Sequence, residues 1–225
     1  MSKQALTDWA ARLRPAATRS PATAPGTHAG RNFSDELGHR RAVDAPFLAW
    51  RSRVTGGESP HPADESAPHP ATPDVALWRA LLDESIPIDP LIEPSPSGHG
   101  APITRPGSTA AIEVWTETEL SALHALWRLA HRRARAELIQ RCLDAAQWHV
   151  EHLQPDNATN HPWAIHVFAI AGERLGSFEH ELHAQSMLHS SQVTLGRPDA
   201  LSAHILLDAA ECLEAEAISR PPQTP

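Results

Sequence analysis

The stretch "TETELSALHALWRLA", Thr116 to Ala130, decides the fold class. Thr116 and Glu119 have the spacing of a capping box. In such a box a threonine accepts from the amide three residues on, and the glutamate reaches back. Leu120, Leu123, Trp127 and Ala130 then recur at helical spacing, which predicts a helix over 117–133. Working outward, Ile139, Cys142, Ala146, Val150 and Leu153 predict a second helix over 135–153. No glycine or proline separates the two near Arg132–Arg135, so one long helix is the alternative. "QPDNATN" (154–160) ends the second helix. "NHPW" (160–163) opens a third, with Asn160 as cap, Pro162 in the first turn and the stripe Trp163, Val167, Ile170, Ala171. Gly176 stops it. A fourth helix over 177–194 is expected to bury Phe178, Leu182, Met187 and Leu188. A fifth over 199–218 is expected to bury Ile205, Leu206, Ala209, Cys212 and Leu213. The C-terminal half therefore reads as all-α.

The N-terminal half has a different texture. Of 21 prolines, fifteen lie in 1–110 and three in 116–220. Such a segment buries too little apolar surface to offset its ordering entropy. Residues 1–72 read as a mostly disordered arm. Near 2–14 it carries a short amphipathic helix (Leu6, Trp9, Ala10, Leu13), marginal unless it docks on something. Val43, Phe47, Leu48 and Trp50 suggest a further short docked element. Over 73–115, a short helix with Val75, Leu77, Trp78, Leu81 and Leu82 precedes an extended Pro-rich strap pinned by Ile86, Ile88, Leu91 and Ile92. Residues 116–219 form the helical domain, and 220–225 a disordered tail.

"LHALWRLA" (123–130), "IHVFAIAG" (165–172) and "AHILLDAA" (203–210) align on His124, His166 and His204. The turns "QPDNA" and "GRPDA" align on Asp156 and Asp199. A period near 40 with two helices per unit is the mark of an αα-hairpin array. Residues 116–218 thus resemble helical-repeat proteins of HEAT or α/α-toroid type. The resemblance implies architecture only, since no family consensus is matched and no functional residue carries over. Equivalent repeat positions would align His124, His166, His204, Asp156 and Asp199 along one groove.

The formal net charge of −8 is unevenly spread, being +5 over 1–57, −7 over 58–115 and −6 over 116–225. An acidic domain with one basic arm disfavours nucleic acid as partner. No run of about 18 apolar residues occurs, so no membrane span is expected. The N-terminus lacks the apolar stretch of a signal peptide. Cys142 and Cys212, without a C-x-x-C, read as buried hydrophobes of a reducing, cytoplasmic setting.

Fifteen histidines raise the question of metal. His149, His152, His161 and His166 crowd the joint between the second and third helices, although their spacing matches no established zinc site. "EHELH" (179–183) spaces its histidines by three instead of the four that zinc peptidases need. No nucleophile elbow, phosphate loop or dinucleotide fingerprint occurs, and no cofactor is expected. The expectation is a non-enzymatic interaction or scaffold module with a protein partner; association of further copies of the chain stays an alternative. The alternative functions are an α/α-toroid enzyme with a His/Asp-lined groove, and His-cluster metal binding.

Overall fold

Apolar residues at helical spacing build eight α-helices among the described residues of the computed structural model, which are 3–24, 44–56, 72–95, 100–105, 111–153 and 161–219. They are α1 (Lys3–Ala17), α2 (Asp44–Val54), α3 (Pro73–Leu82), α4 (Ile112–Arg132), α5 (Ala136–His152), α6 (Ile165–Leu175), α7 (Phe178–Val193) and α8 (Ala200–Ser219). No strand occurs among the described residues, and no helix there is long and apolar enough to cross a membrane. Residues 25–43, which include Val43 of the expected docked element, 57–71 and 220–225 lie outside the described residues, as do Asp156 and Asn160.

One continuous core joins all eight helices. α4 and α5 pair through a short joint, as do α6 and α7, while α8 runs against α1 and α6. The amphipathic helix of the arm is therefore a core element. Leu6 and Leu13 are fully buried and Trp9 nearly so. Arg14 adds a two-pronged pair to Glu214 at 2.7 and 2.6 Å, worth little because both side chains are about 40% exposed. In α2, Pro46 sits in the first turn, where its missing N–H costs nothing. Phe47, Leu48 and Trp50 are buried.

Of three local expectations, two are corrected and the two-helix reading of the 116–153 stretch stands. The first is the capping box. α4 begins at Ile112, one turn before Thr116, whose hydroxyl donates back to the Ile112 carbonyl at 2.8 Å. Glu119 faces inward and binds the strap. The second is the α4–α5 joint, which is a true break. Ala134 adopts left-handed φ 51°. The Arg135 amide reaches Ala130 O at 2.9 Å and the Ala134 amide reaches His131 O at 3.2 Å. This is a Schellman closure built without its usual glycine. The third is the start of α6. Pro162 and Trp163 precede the helix, and Ala164 forms its cap at φ 57°.

The strap follows α3. Ile88 is buried, and Ile86, Leu91 and Ile92 pack partly buried against the core. Polar anchors hold the rest. Glu119 accepts from the amides of Ile103 and Thr104, both at 2.6 Å, and from the Thr104 hydroxyl at 2.7 Å. Arg141 donates to the carbonyls of Ala101 and Pro102, both at 2.6 Å. Gly100 lies so close to α5 that a Cβ there would overlap the Asp144 carbonyl oxygen.

Two outcomes follow from this packing. Leu13→Ala leaves a void in the α1–α8 seam and lowers unfolding free energy by roughly 2–5 kcal/mol. An unchanged denaturant midpoint would mean that α1 is not part of the core. Ala134→Gly relieves a left-handed residue and stabilises by about 1 kcal/mol. A lower melting temperature would contradict the Schellman reading.

Candidate functional site

Asp208, on α8, is fully buried and is paired to three side chains from two other helices. Its Oδ1 accepts from Arg51 of α2 at 2.7 Å. Its Oδ2 accepts from Arg128 of α4 at 2.8 Å and from His124 of α4 at 3.0 Å. Glu211, one turn's side of α8 away, takes further donors from Arg51 at 2.6 and 2.9 Å. Burial alone would raise the Asp208 carboxyl, but Arg128 and Arg51 reverse this and hold it well below the usual carboxylate range.

The His124 tautomer follows from its partners. Its Nδ1 accepts from the Ala164 amide at 3.2 Å, so Nε2 carries the proton and donates to Asp208. Burial lowers the His124 pKa, against the pull of Asp208. Aromatic rings close around it: Trp78 at 5.5 Å, Trp163 at 5.7 Å and His166 at 4.4 Å between centroids. His166 is fully buried, and neither of its ring nitrogens has a hydrogen-bond partner among the described residues. Burial, then His124, drives its pKa well down.

The structure thus brings His124 and His166 together, but in the core and closed to solvent instead of along an open groove. His204 is 7% exposed, one turn before Asp208. Burial, then Arg51, lowers its pKa to about 4. Asp199 caps α8, accepting from the Ser202 amide at 2.8 Å and hydroxyl at 2.9 Å. Its side chain serves this local cap, as a Pro-Asp turn favours, and its Oδ2 also lies 3.8 Å from His161 Nε2.

The histidines of the α5–α6 joint are not gathered into one site. His149 is buried, with Nε2 3.4 Å from Glu119. His152 is exposed, stacks on Trp148 at 4.7 Å and donates to the Trp148 carbonyl. His161 faces Glu117 at 2.9 Å. His166 is in the Asp208 core. Of the "EHELH" pair, His180 meets the Ser177 hydroxyl at 2.8 Å. His183 stacks on Phe168 at 4.3 Å, and burial, then His149, lowers its pKa to about 3. Among the described residues, the grouping of three metal-capable donors within 4.8 Å of one another is His124, His166 and Cys212. Cys212 was legible only as a core residue, because nothing in the local pattern pairs it with histidines 46 and 88 positions earlier.

The outer surface departs from expectation at α7. Phe178 and Leu182, expected in the core, are 66% and 42% exposed. Leu175, beside them at the α6–α7 turn, is also exposed. A nearby recess of about 160 Å³ between α1 and α6–α7 is lined by Asp8, Trp9, Arg12, Gly172, Glu173 and Glu181 among others. It is smaller than the roughly 300–1,000 Å³ of small-molecule sites.

Comparison with protein-family models, curated proteins and solved structures finds no match.

The buried histidines make stability depend on pH. His124, His166, His183 and His204 all have depressed pKa values in the folded chain, against about 6.5 unfolded. The unfolded chain therefore binds more protons below pH 6.5. Stability is complete above that pH and falls as pH drops toward the folded values, by about 1.4 kcal/mol per pH unit for each such histidine. Urea unfolding between pH 7 and 5 should show this slope, and His204→Gln should reduce it by about one histidine's share. A flat profile would contradict the neutral, buried state of these side chains.

Proposed function

We propose that the chain is a non-enzymatic protein-interaction module, its αα-hairpins serving as a scaffold and its binding surface centred on the α6–α7 turn. The observation that carries this reading is the exposure of two α7 residues expected in the core. His180, His183, Met187 and Leu188 point inward, whereas Phe178 and Leu182 stand in solvent. Phe178 and Leu182, four residues apart, share one side of the helix. Leu175 extends the ridge, and Glu179 and Glu181 flank it. Exposed apolar residues grouped at one turn are candidates for a recognition surface.

The chemistry of the surface specifies the partner. The apolar ridge suits an amphipathic helix that inserts anchors at helical spacing. The acidic flank, on a chain of net charge −8, favours a partner with basic residues beside those anchors. Catalysis fits less well. The Asp208 core is locked in mutual ion pairs, and His124, His166 and Asp208 are all fully buried.

The test uses amphipathic helical peptides that share one apolar face and carry either Lys/Arg or Glu/Asp on the other. The basic set should bind the full chain, with binding weakened at least tenfold by Phe178→Asp or Leu182→Asp at unchanged melting temperature. Equal binding by these variants, or preference for the acidic set, would overturn the reading.

A further inference from the structure

We propose that His124, His166 and Cys212 form a closed site for one copper(I) ion. Three observations converge on it. One donor atom from each residue lies within 4.8 Å of the others. Metal–nitrogen bonds of about 2.0 Å and metal–sulfur bonds of about 2.3 Å need donors roughly 3.4–3.8 Å apart, so binding would draw the three donors closer together. His166 is fully buried, and both its ring nitrogens lack hydrogen-bond partners among the described residues. Polar groups so placed are normally satisfied, and a metal satisfies one nitrogen directly. The third observation is the orientation of His124. Its Nε2–H is held by Asp208, so its lone pair is on Nδ1. This is the carboxylate–histidine pairing that orients metal ligands. The Nδ1 has a weak competitor, the Ala164 amide at 3.2 Å, donated by a residue in left-handed φ 57°.

Charge and coordination number select the metal. Arg51 and Arg128 are balanced by Asp208 and Glu211. Copper(I) bound to a thiolate adds no net charge to this core. Zinc(II) with the same single thiolate adds one positive charge beside two arginines, which a buried site penalises. Two imidazoles and one thiolate also complete the trigonal set that soft copper accepts, whereas structural zinc takes four ligands. Copper(I) takes the place of the Cys212 thiol proton. The sulfur–hydrogen bond breaks, the sulfur–copper bond forms, one proton is released and no electron is transferred. The closed position of the site implies loading as the chain folds.

The experiment refolds the full chain anaerobically with copper(I) buffered by a chromogenic chelator. The expected result is one equivalent retained against the chelator, a raised melting temperature, and X-ray absorption showing one sulfur and two nitrogen neighbours. Cys142→Ser, which removes the other buried thiol, should bind as the unsubstituted chain does. Cys212→Ala should lose binding. His166→Phe, an apolar ring for an unpartnered one, should lose binding without losing its fold. Copper retained equally by Cys212→Ala or by folded His166→Phe would overturn the proposal. So would absence of retained copper in the unsubstituted chain, or zinc(II) held in preference to copper(I).

Discussion

The carboxylate of Asp208 is the constraint on which the arrangement of helices depends. An ionised group with no exposure is tolerated only when opposite charges and hydrogen bonds surround it. Here they come from two other helices. Arg51 brings α2, Arg128 and His124 bring α4, and α8 supplies the acid itself. Through Nδ1, His124 also receives the first amide ahead of α6. A shift of α2 by one residue would strand Arg51 and leave a buried charge uncompensated, costing on the order of 3–5 kcal/mol. An all-apolar seam would tolerate such slippage far better. The network therefore specifies register more than it adds stability.

A second centre applies the same logic to a segment without periodic structure. The strap carries too few apolar side chains to hold its backbone in place. Glu119 and Arg141 compensate by meeting its free amides and carbonyls from the faces of α4 and α5. Backbone groups that would otherwise be stranded on the protein face are paired, and the close approach at Gly100 becomes possible. α2 and the strap are both fastened to the helical domain through charged side chains, α2 by Arg51 on Asp208 and the strap by Glu119 and Arg141.

Periodicity made the C-terminal helices legible, with ends mostly within a few residues. Trp163 was legible as an anchor, because an aromatic at the head of an apolar stripe has one place to go. The failures share a cause. Ala134 gave no stop signal because a left-handed cap was inferred only from glycine. Glu119 looked like half of a capping box because that reading uses neighbours alone, while its partners lie 15 and 16 residues upstream. Arg51 and Asp208 are 157 positions apart. Nothing local distinguishes them from a solvated arginine and a helix-surface acid. The same distance hid Cys212 from His124 and His166. The joint histidines, crowded in sequence, lie on separate partners in the fold.

The reading of α7 held for half of its expected core: Met187 and Leu188 are buried, whereas Phe178 and Leu182 are exposed. Helical spacing alone cannot choose between its two faces, because each holds a mixture. The inward face has Met187 and Leu188 but also His180 and His183. The outward face has Phe178 and Leu182 but also Glu179. The inward histidines lose hydration and are compensated by a serine hydroxyl and by stacking on Phe168. Rotating α7 to bury Phe178 and Leu182 would remove apolar surface from water, but it would lift Met187 off the core and strip His183 from Phe168. The fold keeps the tighter internal fit and leaves the ridge outside. An exposed aromatic and two leucines at one turn then represent unspent hydrophobic free energy, of roughly 1.5–3 kcal/mol per side chain if fully covered. A partner that covers them gains that energy without any rearrangement of the Asp208 core.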